Sequence, residues 1–146
     1  NFAITLEGYE HESLSETLTK VAEKAREAEA PIAVFYCQWA STPKAPEGKG
    51  SNLCFIEIPC AGRADPLHMI QALNLGFEGV LVLACRHDMC NFEEAGAKRA
   101  EENLGAIKKL LGQLGLGDKV EIAFASPKYP DEAEQAISTF VGNIRG

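Results

Sequence analysis

The stretch GVLVLAC at residues 79–85 decides the fold class of this chain. A nearly continuous apolar run of this length, rich in Val and Leu, is typical of a strand that is buried on both faces of a parallel sheet. Similar runs lie at residues 32–37, 53–58 and 120–125, and helical patterns separate them. This alternation predicts a three-layer α/β sandwich with a mostly parallel sheet of about four strands, flavodoxin-like or Rossmann-like in architecture.

The predicted helices have clear end signals. Ser13 and Glu16 form a capping-box pattern at the start of the first helix. Asp65 is a favourable N-cap, and Pro66 suits the first position of the second helix. The predicted helices cover residues 13–30, 66–76, 91–114 and 130 onwards.

Composition excludes several classes of function. The chain has 146 residues, with 14 Lys and Arg against 21 Asp and Glu and a formal charge of −7. This length fits one globular domain, and the negative charge argues against binding to nucleic acid or to an anionic membrane. No apolar run approaches the roughly 20 residues of a membrane span, and the chain start lacks the pattern of a signal peptide. We therefore expect no direct membrane insertion and a cytoplasmic location.

The first residue is Asn1 rather than methionine, which suggests a processed product or a piece of a longer polypeptide. Residues 1–30 are interpreted as an N-terminal lead and helix that belong to the domain or form a linker from an upstream domain. Residues 31–146 are interpreted as the domain itself.

The five cysteines do not form the dense, even framework of a disulfide scaffold, so reduced thiols are expected. Cys37, Cys60 and Cys85 are placed at the last residues of three predicted strands, and Cys90 follows in the next loop. The carboxyl ends of parallel strands meet at one edge of the sheet, where ligands bind in open α/β folds. Cys54 lies inside its strand and is interpreted as a core residue.

The chemistry of four thiolates at one edge leaves three alternatives open. Tetrahedral sulfur sites select zinc or iron–sulfur clusters, and redox-active thiols are the third possibility. The paired spacing of zinc knuckles is absent, and the interval from Cys85 to Cys90 matches only one interval of plant-type ferredoxins. The sequence also lacks the dinucleotide fingerprint, the phosphate loop and any Ser-His-acid set.

Three blocks of sequence resemble a known family. They are VFYCQWA at residues 34–40, CAGRADP at residues 60–66 and GVLVLACRHDMCNF at residues 79–92. They are similar to F-x-C-N-W-C, C-S-G-R-x-D-P and G-V-L-V-x-G-C-H-x-x-D-C-H-Y, the motif blocks of the delta-subunit family of methyl-viologen-reducing hydrogenase. The resemblance extends from about residue 31 to residue 146.

This resemblance implies an electron-transfer domain that carries a [2Fe-2S] cluster, with Cys37, Cys60, Cys85 and Cys90 as its ligands. It also implies redox partners: a flavoprotein like the A-type subunit of heterodisulfide reductase, and other redox subunits. Within the family, the domain is also found fused to such flavoproteins, including one subunit of the quinone-interacting membrane-bound oxidoreductase. The cytoplasmic face of a membrane-bound complex is therefore an alternative location for this chain.

The chain departs from the family pattern at Ala40, which stands where the first block has its second cysteine. Arg86-His87 and Asn91-Phe92 also differ from the residues usual after the last two cysteines. The departure at Ala40 keeps two alternatives open. One is a docking domain of the same complex without a cofactor, and the other is a thiol redox module that uses Cys85 and Cys90.

Two arginines follow cysteines directly and are candidate cofactor-binding residues. Arg63 and Arg86 would lower the pKa of nearby thiols and offset the negative charge of a reduced cluster. Alternatively, each pairs with a nearby carboxylate such as Asp65 or Asp88.

Trp39 is a candidate cover for the cofactor or part of a partner surface, with core packing as the alternative. His87 could serve as a ligand, as histidine does in Rieske-type centres, or be simply solvated. His68 is interpreted as an ordinary surface residue.

Overall fold

The structure is a computed structural model that describes residues 11–37, 52–86, 95–126, 128–129 and 131–145. Its helices and strands, in chain order, are α1 (His11–Lys24), β1 (Ile32–Cys37), β2 (Leu53–Ile58), α2 (Pro66–Asn74), β3 (Gly79–Cys85), α3 (Ala95–Gly112), β4 (Val120–Ala125) and α4 (Asp131–Arg145). Short 3₁₀ turns lie at Ala61–Arg63 and Gly117–Lys119. The four strand predictions are confirmed.

All strand pairs in the sheet are parallel, and their order is β2-β1-β3-β4. The central strands, β1 and β3, are the most apolar, and every residue of β3 is buried. Strands buried on both faces need apolar residues at successive positions, which explains their continuous runs. The predicted parallel α/β fold is therefore confirmed.

Two apolar cores lie on opposite faces of the sheet. Ala33 and Phe35 of β1 pack in the larger core with residues of α1, α2 and α3. Ile32 and Val34 point to the other face and pack with residues of α4. Since successive side chains of a strand alternate between faces, one strand supplies both cores and the sheet becomes the middle of three layers.

Helix α1 differs from its predicted bounds at both ends. Ser13 is the third residue of the helix, so the predicted capping box is wrong. The helix ends at Lys24, and Ala30 has a left-handed φ of 49° before Pro31, where the chain turns into β1. The Ser15 hydroxyl donates to Gln71 Oε1 at 2.7 Å, which ties α1 to α2.

Helix α2 begins as predicted. The Asp65 carboxylate accepts from the Leu67 N–H at 2.8 Å, and Pro66 occupies the first helical turn. Gly76 follows the helix with a φ of 105°, which favours glycine. The surface interpretation of His68 is wrong, because this residue is only 2% exposed.

Helix α3 is described from Ala95 to Gly112, and the predicted start at residue 91 lies outside the described residues. The predicted stop is close, since Gly115 adopts a φ of 73° and turns the chain towards β4. Within the described ranges, none of the helices combines the length and apolar character needed to cross a membrane.

Candidate functional site

Cys37 and Cys85 lie side by side at the carboxyl edge of the two central strands. Their Sγ atoms are 3.3 Å apart, and the residues are 0% and 4% exposed. Because β1 and β3 are parallel neighbours, their last residues reach the same edge of the sheet. The sequence predicted this convergence, and the structure brings these two sulfurs into contact.

The surroundings of the pair are compact. Cys37 Sγ lies 3.8 Å from the carbonyl oxygen of Pro59, to which its S–H group donates. The distance between the sulfurs of Cys37 and Cys85 is well beyond the roughly 2.05 Å of a disulfide bond, and both residues are thiols. The edge therefore holds two soft donor atoms shielded from water.

Cys60 lies in a different local structure from the one predicted. It follows the end of β2 by two residues and is the N-cap of the 3₁₀ turn Ala61–Arg63. Its Sγ atom accepts from the Gly62 N–H at 3.4 Å, and the residue is partly buried. Placing Cys60 at the last residue of the strand was therefore wrong, because Pro59 has no N–H with which to continue the ladder.

Helix α3 holds the turn that carries Cys60. A Cβ atom on Gly62 would lie 3.1 Å from the Gly96 carbonyl oxygen and 3.3 Å from Arg99 Cβ. The Asn103 amide also lies 3.4 Å from the carbonyl oxygens of both Gly62 and Ala64. Much of the CAGRADP block at residues 60–66 thus has a structural role. Its candidate metal ligand is the Cys60 thiol.

Arg86 binds a carboxylate on α4. Its guanidinium donates to both oxygens of Glu132, with Nε 3.3 Å from Oε2, and lies 4.8 Å from the centre of the Tyr129 ring. A paired arginine was one of the two alternatives for this residue, and Glu132 is a partner that the structure shows. Asp88, the carboxylate named from the sequence, lies outside the described residues. Sequence reasoning missed Glu132 and Tyr129 because more than 40 positions separate them from Arg86. The only available signal was the acidic first turn of α4.

Several predicted site residues lie outside the described part of the chain: Trp39, His87 and Cys90, together with Ala40. The backbone of Arg63 lies in the 3₁₀ turn. In the ranges that are described, no three His, Cys, Asp or Glu side chains are grouped closely enough to hold a metal ion. The structure thus brings together two of the four predicted ligands, Cys37 and Cys85, and places Cys60 on a neighbouring turn.

Cys54 is distinct from these residues. It lies in β2, opposite Ala33 of β1, and packs against the larger core. Burial raises the pKa of its thiol. Cys54 is thus a partly buried residue that packs against the core from the edge strand.

Fold and site together define a class: a parallel three-layer α/β domain with cysteines gathered at the carboxyl edge of its sheet. A family model described as methyl-viologen-reducing hydrogenase, delta subunit, matches residues 32–146. The chain belongs to this family, as its motif blocks indicated. The family consists of hydrogenase and heterodisulfide reductase subunits involved in electron transfer.

Individual relatives fall into two groups. The chain is 30% identical over 148 residues to the A-type subunit of the ferredoxin/F420H2-dependent CoB-CoM heterodisulfide reductase of Methanosarcina acetivorans, a match that covers 95% of this chain and 18% of that protein. It is 27% identical over 129 residues to the D-type iron-sulfur subunit of the F420-non-reducing hydrogenase of Archaeoglobus profundus, covering 83% and 93% of the two chains. A similar D-type subunit from Methanopyrus kandleri is 33% identical over 88 residues, 60% of this chain and 66% of its own. The chain therefore spans under a fifth of the length of the reductase relative and most of the Archaeoglobus hydrogenase relative.

Proposed function

We propose that this chain is an electron-transfer domain that holds a [2Fe-2S] cluster through Cys37, Cys60, Cys85 and Cys90. The observation that carries the proposal is the buried contact between Cys37 and Cys85, with their sulfurs 3.3 Å apart. Thiolates are the ligands that iron–sulfur clusters prefer. The names of the hydrogenase relatives, which are iron-sulfur subunits, support the same chemistry.

The spacing of this pair fits two ligands of one tetrahedral metal ion. Metal–sulfur bonds of about 2.3 Å at a tetrahedral angle place two sulfurs about 3.8 Å apart. The observed separation of 3.3 Å is about half an ångström shorter. In this proposal a small rotation of either side chain supplies the difference. Cys60 must move closer to join the pair, since the described residues contain no preformed group of three donors. Cys90, the fourth proposed ligand, lies outside the described residues.

Each part of the site has a distinct task in this proposal. A bound cluster supplies one-electron oxidation and reduction. Cys37 and Cys85 anchor it from the rigid centre of the sheet, and Cys60 approaches from the 3₁₀ turn held by α3. Burial of the anchoring thiols excludes water from this side of the site. Trp39 is proposed to cover the opposite side.

The two arginines have different proposed tasks. Arg86 is tied to Glu132, so that pair adds little net charge near the site and instead holds the residue after Cys85 against α4. Arg63, on the turn next to Cys60, is the cation proposed to offset the charge of a reduced cluster.

The proposed partners follow from the relatives. The chain would relay electrons between a flavin or iron–sulfur protein, similar to the A-type subunit of heterodisulfide reductase, and a second redox protein. The reduced thiols of Cys37, Cys54, Cys60 and Cys85 fit a reducing compartment, so we infer a cytoplasmic location. In this role the domain carries electrons and catalyses no bond rearrangement of its own.

Iron and acid-labile sulfide analysis of the anaerobically purified full chain tests the proposal. We expect about two irons and two sulfides per chain, visible charge-transfer absorbance and an EPR signal after reduction. Cys37→Ser and Cys85→Ser should each lower the iron content at least fivefold, because each removes an anchoring ligand. Cys54→Ser is the matched control and should retain its iron. A wild-type chain that binds no iron after anaerobic reconstitution would overturn the proposal.

A further inference from the structure

The contact between Cys37 and Cys85 also fits a second chemistry, which concerns the chain without metal. We propose that these two thiols form a reversible intramolecular disulfide by exchange with a small-molecule disulfide. One alternative left open by the sequence was a thiol redox module that uses Cys85 and Cys90. The structure brings Cys85 next to Cys37, 48 positions away.

The sheet register places the two Cα atoms in the range that a disulfide needs. Tyr36 pairs with Leu83, so Cys37 lies one residue and Cys85 two residues beyond that pair. Strands about 4.8 Å apart with a rise of about 3.3 Å per residue put Cα atoms with this offset about 5.8 Å apart. Disulfides have Cα separations of about 4.4–6.8 Å, most often about 5.5–6 Å.

The sulfurs also face one another across a short gap. Bond formation must shorten their 3.3 Å separation by about 1.3 Å. Both residues end their strands, so a small shift of either side chain breaks no hydrogen bond between β1 and β3. The carbonyl oxygen of Pro59, 3.8 Å from Cys37 Sγ, accepts a hydrogen bond from the Cys37 S–H group, which keeps its proton until exchange takes place.

The disulfide reagent reaches this buried pair through a local opening at the end of β3, and it meets Cys85 first. Cys85 is 4% exposed whereas Cys37 is fully buried, and the next residue, Arg86, has a partly exposed side chain. In the first step, the Cys85 sulfur, after losing its proton to solvent, attacks a small disulfide RSSR. A mixed disulfide forms and one RSH leaves with a proton. In the second step, the Cys37 sulfur attacks Cys85 Sγ, and the second RSH takes the Cys37 proton. The two thiols are oxidised by two electrons and RSSR is reduced to two RSH.

Formation of the disulfide would make both sulfurs unavailable as metal ligands at the same time. The oxidised chain could then hold no metal through these residues until a thiol reduced the bond. This reaction belongs to the metal-free chain, so it does not rest on the proposed cluster. The same pair would act as ligands under reducing conditions and as a closed disulfide under oxidising conditions.

Thiol mapping of the full chain tests the inference. The chain is purified anaerobically, treated with an iron chelator and assayed for residual iron, and its fold is checked by circular dichroism. It is then equilibrated with glutathione and glutathione disulfide at several ratios, trapped with N-ethylmaleimide and analysed by mass spectrometry. As the disulfide form becomes dominant, we expect the wild type to lose two of its five reactive thiols and to yield one cross-linked peptide joining Cys37 to Cys85.

The matched control is Cys54→Ser, which should form the same cross-link. Cys37→Ala and Cys85→Ala should abolish it, and the Cys37→Ala chain should instead carry glutathione on Cys85. A cross-link that joins Cys85 to Cys90, or glutathione on Cys85 of the folded wild type with no cross-link at any ratio, would refute the inference. The iron assay on the untreated chain reports separately on the proposed function, so either result can fail without the other.

Discussion

At the residue scale, Gly62 shows how closely the turn that carries Cys60 approaches α3. A methyl group at this position would meet the Gly96 carbonyl oxygen at 3.1 Å and Arg99 Cβ at 3.3 Å. The first of these atoms belongs to the helix backbone, which can move only if the helix shifts. The close packing of this turn against α3 therefore requires glycine at position 62.

We predict that Gly62→Ala lowers the free energy of unfolding by about 1–2 kcal/mol, since overpacking must move the turn or the helix. Gly105→Ala is the matched control, because it lies in α3 and the added methyl group would meet no other described part of the chain within 4 Å. That substitution should stabilise the chain by up to about 1 kcal/mol through helix propensity. Urea denaturation measures both values, and a Gly62→Ala variant as stable as Gly105→Ala would contradict the packing argument.

Cys54 gives a prediction about pH. Burial raises its pKa in the folded state, so the folded chain holds this proton more tightly than the unfolded chain does. The contribution of this group is fully present below the unfolded pKa of about 8.5 and is lost as the pH rises from there through the folded pKa. The free energy of unfolding of the wild type should therefore fall more steeply above a pH of about 8.5 than that of Cys54→Ala. Parallel denaturation curves from neutral to alkaline pH under reducing, anaerobic conditions measure this difference, and identical slopes would count against it.

At the element scale, the Arg86–Glu132 pair joins the end of β3 to the first turn of α4. The guanidinium contacts both carboxylate oxygens and lies over Tyr129. Such bidentate ion pairs are stronger and better oriented than single contacts between flexible side chains. This contact holds the residue after Cys85 in place and so links α4 to the candidate site.

We predict that Glu132→Gln lowers the free energy of unfolding by about 1 kcal/mol, an effect that salt reduces because the pair is partly exposed. Glu78→Gln is the control, as it breaks a single contact of 3.2 Å with Lys119 at an exposed position. It should cost less than about 0.5 kcal/mol. Thermal unfolding at low and high salt compares the two variants. Equal losses in the free energy of unfolding would show that the bidentate geometry contributes nothing.

The sequence predicted the elements better than their contacts. The runs that became β1 and β3 could be recognised because burial on both faces demands apolar residues at every position. Asp65 and Pro66 marked the start of α2 through purely local chemistry. The turn at Cys60 had a local signal in Pro59, which the strand prediction overlooked. The pairing of Arg86 with Glu132 and the burial of His68 depend on packing between distant segments, which no local pattern encodes. For the same reason, the convergence of cysteines at the edge could be predicted, whereas the pairing of Cys37 with Cys85 could not.

At the scale of the whole molecule, the candidate site connects segments that are far apart in the chain. A ligand that binds only the folded state stabilises it in proportion to the logarithm of its concentration relative to its dissociation constant. A cluster held by cysteines from β1, β3 and the turn after β2 would therefore act on the global unfolding equilibrium rather than on one loop.

We predict that removing iron with a chelator lowers the melting temperature of the anaerobic wild type by about 5–10 °C. Cys54→Ser should show the same decrease. A Cys37→Ser, Cys85→Ser double variant should melt at the same temperature with and without the chelator, because it lacks both anchoring thiols. Differential scanning fluorimetry under argon makes the comparison, and a wild type unaffected by the chelator would contradict a stabilising role for the metal.

The parallel sheet also determines when the site can exist during protein synthesis. Among the described strands, no two neighbours form a hairpin, and β1 at the centre pairs with β3 only across a long stretch of chain. Cys37 leaves the ribosome 48 residues before Cys85 and meets it only when β3 docks. Any machinery that loads this edge must therefore act after β3 has been synthesised, since a nascent chain ending before β3 does not yet present this pair of sulfurs.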